Sequence, residues 1–172
     1  MSGLSGAVIR GEQPDDFAAV EAIHTEAFER EDEAGLLRRL RGRAGSISLV
    51  AAVDDALVGH ILFTPVTLAG HSFAVAPRGL GPMSVVPSRQ SQGIGGELIR
   101  AGLDECRRRS VPFVVVLGHP DYYPRFGFVA ASRFGLRCVW DVPEEVFLVQ
   151  ELVPGVLAGR SGSVEYAPEF AL

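Results

Sequence analysis

The chain has 172 residues, the size of one ordinary domain, with 47% hydrophobic and 22% charged residues, a balance that excludes a disordered tail or a coiled coil. Sixteen Lys plus Arg against 21 Asp plus Glu leave a formal charge of −5, which argues against a broad polyanion-binding face and so against general nucleic-acid binding. The apolar run Phe113 to Leu117 falls far short of the ~18 residues that cross a bilayer, so no membrane segment is expected. Residues 1–11 carry no basic start followed by an apolar stretch, so the expected compartment is the cytoplasm. Cys106 and Cys138 form neither a CxxC pair nor a disulfide framework and read as small buried hydrophobes. One domain over 1–172 is the expected organisation.

Ala7 to Arg10 reads as a first strand, and Pro14-Asp15-Asp16 signals a helix start. Phe17, Val20, Ile23 and Ala27 then recur at helical spacing, with His24 and Glu26 off the centre of that stripe. A second helix is predicted over Asp32 to Arg43, with Leu36, Leu37 and Leu40 inward and Arg38, Arg39, Arg41 and Arg43 on a solvated face. Ile47 to Val53 and Ala56 to Thr67 read as strands joined by a tight turn at Asp54-Asp55. Ser72 to Ala76 begins a further extended run that resumes at Leu80 to Val86.

Gly93 to Arg109 has the pattern of a helix whose Leu98, Ile99, Leu103 and Cys106 share one face. Glu97 in its first turn and Arg107, Arg108 and Arg109 in its last complement the helix dipole. Phe113 to Leu117 reads as a strand covered on both faces. Tyr122 to Phe126 reads as a short helix or turn, and Arg137 to Trp140 and Val146 to Leu152 as two more strands. Ser161 to Leu172 is weakly patterned. His24, His60 and His71 show no metal-ligand spacing, so no metal is implied.

Chemistry is concentrated in Leu80-Gly81-Pro82-Met83-Ser84-Val85-Val86-Pro87-Ser88-Arg89-Gln90-Ser91-Gln92-Gly93-Ile94-Gly95-Gly96, a strand entering a helix through a Gly-rich turn. Amides at a helix start lack partners within the helix and sit at its positive end, and glycines there let a phosphate approach the backbone. Neither GxGxxG nor GxxxxGK[ST] is present. Instead Gln90-x-x-Gly93-x-Gly95 follows the strand, and Tyr123-Pro124-Arg125-Phe126-Gly127-Phe128 follows the apolar strand Phe113 to Leu117. In these residues, and in their order, the chain resembles the GNAT superfamily of N-acetyltransferases. Leu117-Gly118-His119-Pro120, running into the tyrosine element, is similar to a bacterial branch of predicted acetyltransferases.

The resemblance implies an α/β (α+β) fold, with a mixed, mostly antiparallel, splayed sheet flanked by helices. It implies acetyl-CoA as cosubstrate and transfer of its acetyl group to a primary amine by direct attack in a ternary complex. The backbone of Met83, Ser84, Val85 and Val86 would pair with the pantetheine arm, an amide near Val85 polarising the thioester. Arg89, Gln90, Gln92, Gly93, Ile94, Gly95 and Gly96 would hold the phosphates. Tyr123 matches the family tyrosine that serves the departing thiolate, with Tyr122 as the register alternative. A phenol with a pKa of ~10 stays protonated at neutral pH and can donate.

No acid stands on Leu80 to Val86, where many relatives carry a glutamate, and Ser84 alone is no base at neutral pH. His119 is the candidate base, and Glu26, Glu31 and Glu33 border the expected substrate entrance. The alternatives are a CoA-binding sensor without turnover, a longer acyl donor, or a non-amine acceptor. The C-terminal strands offer an edge for a homodimer.

Overall fold

A computed structural model describes residues 5–28 and 31–170, with side chains at all of these but 28 and 31–33. The chain divides into two compact units, one running to Phe63 and taking up Gly81–Asp104, the other comprising Thr64–Leu80 and Glu105–Leu172.

In the first unit β1 (Val8–Gly11) leads through a short turn at Pro14–Asp16 into α1 (Phe17–Phe28) and α2 (Glu31–Arg41). Asp16 organises that entry. It accepts the Gln13 amide at 2.7 Å and both guanidinium nitrogens of Arg10 at 2.7 and 3.0 Å, which hold its carboxyl down at about 2. β2 (Ile47–Val53) and β3 (Ala56–Pro65) pair antiparallel from Ile47↔Phe63 to Val53↔Ala56. Asp54 and Asp55 both adopt positive φ, 50° and 66°, as a tight two-residue hairpin turn requires.

β3 is buried from Val58 to Thr64 because both its faces are covered. Gly59 and Phe63 meet the helix that follows the Gly-rich turn: a Cβ on Gly59 would stand 3.1 Å from Leu98, and one on Gly102 would stand 2.2 Å from a carbon of the Phe63 ring. Alternate residues face the other way, His60 meeting His24 of α1, and Leu62 sharing a cavity wall with Phe17 and Leu37.

In the second unit β4 (Thr67–Leu68) is followed by the start of β5 (Arg78–Val85), whose Arg78, Gly79 and Leu80 pair in parallel with Val114, Val115 and Val116. The last turn of α3 (Ile94–Arg108) precedes β6 (Phe113–Leu117). β7 (Val129–Ala130), β8 (Leu136–Cys138), β9 (Phe147–Glu151) and β10 (Gly162–Glu165) complete the strands. β6 pairs antiparallel with β9 along its length, and β9 with β7. A small sheet orders β4-β10-β8, with β10 antiparallel to β4 and parallel to β8. Phe113, Val115, Leu136, Phe147, Val149 and Val164 belong to the core of this unit. The fold is α/β, with mixed, mostly antiparallel strand pairing.

Several expectations need correction. Ser72 to Ala76 forms no strand. Phe73 packs edge-on against Phe113 at 5.6 Å, so the alternating burial of the segment is real, but no neighbouring strand supplies a ladder. β10 arises in the segment without a clear pattern, because its partners lie far away in sequence. His24 is fully buried at the centre of the α1 stripe beside Val20 and Ile23. Arg41 leaves the solvated face to pair with Glu21 at 3.1 Å and Glu12 at 3.4 Å, its guanidinium over the Phe17 ring. The triple arginine is partly ion-paired, with Arg108 and Arg109 on Glu105 at 2.6 and 2.9 Å. Among the described residues no helix is long and apolar enough to cross a membrane.

Gly102→Ala should lower the urea midpoint. Overpacking against Phe63 costs about 1–3 kcal/mol, more than the ~1 kcal/mol that alanine gains in a helix. Adding Phe63→Leu should restore part of the loss.

Candidate active site

The second half of β5 ends at Val85, and Val86 donates its amide to the Val58 carbonyl at 2.8 Å. Pro87–Arg89 make one short turn, after which Ser91 and Gly93 adopt left-handed backbone, φ 62° and 88°. A side chain at 93 would meet no atom within 4 Å, so glycine is needed there for its backbone angle. α3 then opens at Ile94, with Glu97 donating to the Gly93 carbonyl at 3.0 Å. The amides of Ile94, Gly95 and Gly96 precede that first helical bond and point out of the helix start.

The site residues named from the sequence divide by role within this segment. Gln90 donates through its side chain to the Val85 carbonyl at 2.9 Å, and Gln92 to the Ser88 carbonyl at 3.1 Å. Both side chains thus brace the turn, leaving backbone as their contribution to a ligand. Ile94 is 1% exposed, so its side chain belongs to the core. Arg89 is half-buried, while Gln90, Ser91, Gln92 and Gly93 are exposed. Met83 and Val85 are half-buried, and Ser84 faces inward.

In the second unit β6 ends at Leu117, and the next residues turn sharply. The His119 carbonyl accepts the amides of Tyr122 at 3.1 Å and Tyr123 at 3.3 Å. Tyr123 is buried, with its ring edge-on to those of Tyr122 and Phe128 at 5.1 and 5.7 Å. Gly118 makes room for it, since a Cβ there would stand 2.1 Å from a carbon of the Tyr123 ring. Gly127 ends the turn at φ 99°, with Gln150 packed 2.6 Å from where a Cβ would stand. Burial pushes the Tyr123 phenol up to about 12, and neighbouring Tyr122 adds to the shift, so it stays protonated as a donor. The side chain of His119 is exposed.

Glu26 is exposed, and Glu31 and Glu33 have side chains outside the described residues. Burial pushes the Cys106 thiol up to about 12, so it is no nucleophile. A cavity of about 530 Å³ opens in the second unit beside Arg137, Trp140, Asp141 and Glu144; none of the site residues named from the sequence lines it.

One constellation in the first unit escaped the sequence. Ser84 Oγ lies 2.9 Å from His24 Nδ1, and His24 Nε2 lies 2.8 Å from His60 Nδ1. His60 Nε2 lies 2.7 Å from Ser48 Oγ, which donates to Glu12 Oε1 at 2.8 Å. The two imidazoles are fully buried. Burial first, then Arg41, pushes His24 down to about 4, and burial with the charges of His24 and Arg41 pushes His60 down as well. Both are therefore neutral at pH 7. The signal was faint: 36 residues separate the histidines, and only the crossing of α1 over β3 and β5 unites them.

Comparison with known proteins decides the family. The acetyltransferase (GNAT) domain model matches residues 8–131. The chain belongs to the GNAT acetyltransferase family. It is 34% identical over 165 residues to the uncharacterized N-acetyltransferase YhbS of Escherichia coli K12, covering 95% of this chain and 98% of that one. With YjhQ of the same strain, also an uncharacterized N-acetyltransferase, it shares 37% over 134 residues, 76% of this chain and 74% of that one. The crystal structure of E. coli YhbS in complex with CoA superposes with a TM-score of 0.90 at 34% identity, covering 99% of this chain and 94% of that one. A GNAT acetyltransferase from Brucella melitensis in complex with acetyl-CoA gives 0.78 at 34% identity, covering 95% and 97%. The chain is thus an acetyltransferase with the fold that the resemblance implied.

The buried imidazoles set an acid limit on this GNAT protein. An unfolded imidazole binds its proton near pH 6.5, whereas folded His24 resists it until about 4. The folded state carries no penalty above pH 6.5 and loses stability as pH falls from there toward 4, on the order of 3 kcal/mol from His24. Urea midpoints should be level above pH 7 and decline steadily to pH 4.5, and His24→Gln should flatten the decline.

Proposed function

We propose that the chain transfers the acetyl group of acetyl-CoA to a primary amine by direct attack within a ternary complex. The observation that carries this reading is the left-handed turn at Ser91 and Gly93 opening α3 behind β5. It presents successive backbone amides at the positive end of a fifteen-residue helix, suited to a pyrophosphate. The CoA and acetyl-CoA complexes of the two relatives at 34% identity support the same cosubstrate here.

In this reading the amides from Gln92 to Gly96 take the phosphates, and Arg89 adds a cation beside them. The parallel register of β5 with β6 covers Arg78 to Leu80, and β5 itself continues to Val85. The backbone of Met83 to Val85 would take the pantetheine arm as an added strand, with an amide near Val85 on the thioester oxygen; Val86, named with them from the sequence, already gives its amide to Val58 and its carbonyl to the Arg89 amide. The amine nitrogen bonds to the carbonyl carbon, and the carbon–sulfur bond breaks. Tyr123 gives its phenolic proton to the leaving thiolate and is reprotonated from solvent. The amine sheds one proton to a base, for which His119 is the candidate named from the sequence.

Thiol release from acetyl-CoA tests this reading. It would be followed with benzylamine, spermidine, kanamycin, an alanine-initiated peptide and a lysine peptide, with intact masses of the acceptors. An acceptor gaining one acetyl group supports the reading. CoA binding without release to any of them overturns it in favour of a sensor.

Tyr123→Phe should lower kcat about 100-fold, within the range for loss of a general acid, while the CoA dissociation constant stays within twofold. An unchanged kcat in a chemistry-limited assay rejects the role. Gly93→Asp should weaken CoA at least tenfold by calorimetry, since it strains the left-handed backbone and sets a carboxylate among the phosphate-facing amides.

A further inference from the structure

The chain lacks a carboxylate on β5, yet Ser84 on that strand is not isolated. It is one end of the hydrogen-bonded series through His24, His60 and Ser48 to Glu12. The direction of every bond in the series follows from its last member. A carboxylate only accepts, so Ser48 gives its proton to Glu12. The Ser48 oxygen must then receive the proton of His60 Nε2. His60 Nδ1 is left as an acceptor and takes the proton of His24 Nε2. His24 Nδ1 is in turn an acceptor, and Ser84 gives it the hydroxyl proton. With both imidazoles neutral, each holds one proton and offers one lone pair, so all four bonds are satisfied in one sense only. The lone pairs of Ser84 Oγ are left over at this end of the series, on a buried residue that is 5% exposed.

We propose that Ser84, His24, His60, Ser48 and Glu12 form a directed proton relay that takes the proton shed by the acceptor amine. This rests on the transfer reading above, which sets the pantetheine arm along the same strand. The amine proton bonds to Ser84 Oγ as the Ser84 proton passes to His24 Nδ1. The proton of His24 Nε2 moves to His60 Nδ1, that of His60 Nε2 to Ser48 Oγ, and that of Ser48 to Glu12. Each imidazole ends as its other neutral tautomer, Glu12 ends protonated, and no net charge is left on a histidine. Ser84 is the catalytic member, and the other four act through it.

The far end has the features of an outlet. Glu12, Arg41, Ser46 and Ser48 line a cavity of about 180 Å³. Ser46 Oγ and Arg41 Nε are buried without a hydrogen-bond partner among the described residues. Such atoms suit water, which would return the Glu12 proton to solvent. Among the described residues, the charged groups beside the series are Arg41 of α2, paired with Glu12 at 3.4 Å and with Glu21 of α1 at 3.1 Å; β3 and β5 contribute His60 and Ser84 to it.

Two readouts test the relay. The first needs no acceptor. Long-range proton–nitrogen spectra of the labelled protein should show His24 and His60 as neutral Nε2–H tautomers from pH 6 to 8, and Nδ1–H on either ring overturns the proposal. The second uses whichever amine of the panel above is acetylated fastest. Wild-type kcat should be level between pH 6.5 and 8.5. Ser84→Ala and Glu12→Gln should fall about 100-fold at pH 7, in the range for loss of a general base. They should also recover about tenfold per pH unit toward the pKa of the amine, with CoA affinity within twofold. Variant profiles parallel to wild type overturn the relay, as does a displaced profile in His119→Gln alone, which would give the base role to His119. Transfer with the wrong tautomers overturns the relay and leaves the transfer reading standing. No transfer to any amine overturns that reading, and the catalytic role of the relay with it.

Discussion

The first unit depends on one constraint: β3 is covered on both faces, so each of its side chains from Val58 to Phe63 must find a dry partner. Most do so by packing. His60 cannot, because an imidazole buried without partners forfeits about 1–3 kcal/mol per unmet group. Its two nitrogens therefore recruit His24 on one side and Ser48 on the other, and each recruit brings its own second partner. The series ends only at a charged group, Glu12, which Arg41 balances. A single polar residue in a buried strand thus ties together α1, α2, β2, β3 and β5.

That tie also accounts for features that looked independent. Arg41 leaves its expected solvated face because it pairs with the carboxylates of Glu12 and Glu21. His24 sits at the centre of the α1 stripe because its position there carries it to β3 and β5. The same low-polarity surroundings that hold the imidazoles neutral also keep their hydrogen bonds strong.

The Gly-rich turn before α3 follows a different logic, in which shape is set locally. Ser91 and Gly93 take left-handed angles, Gln90 and Gln92 use their side-chain amides to brace the turn, and Ile94 anchors the helix start in the core. What remains for a ligand is backbone, which tolerates many side chains and so leaves only a short motif. The tyrosine element is likewise local: Gly118 and Gly127 are glycines because a ring and an amide occupy the space a Cβ would need.

Much of this was readable from residues alone. The strands Ile47–Val53 and Phe113–Leu117, the helix after the glycines, the hairpin at Asp54-Asp55, the turn at Tyr123 and the family itself follow from patterns contained within one segment. Periodicity, turn chemistry and motif spacing are properties of neighbouring residues, and neighbours in sequence remain neighbours in space. The absence of a ladder at Ser72 to Ala76, the strand at Gly162–Glu165, the pairing of Arg41 and the series from Ser84 to Glu12 were not readable. Each depends on a partner supplied by a distant segment, and hydrogen bonds between distant segments exist only once the chain has packed. The sequence by itself determined the family and the local turns at the glycines and the tyrosine; tertiary structure alone decided which buried groups hydrogen-bond to one another, because their partners come from distant segments.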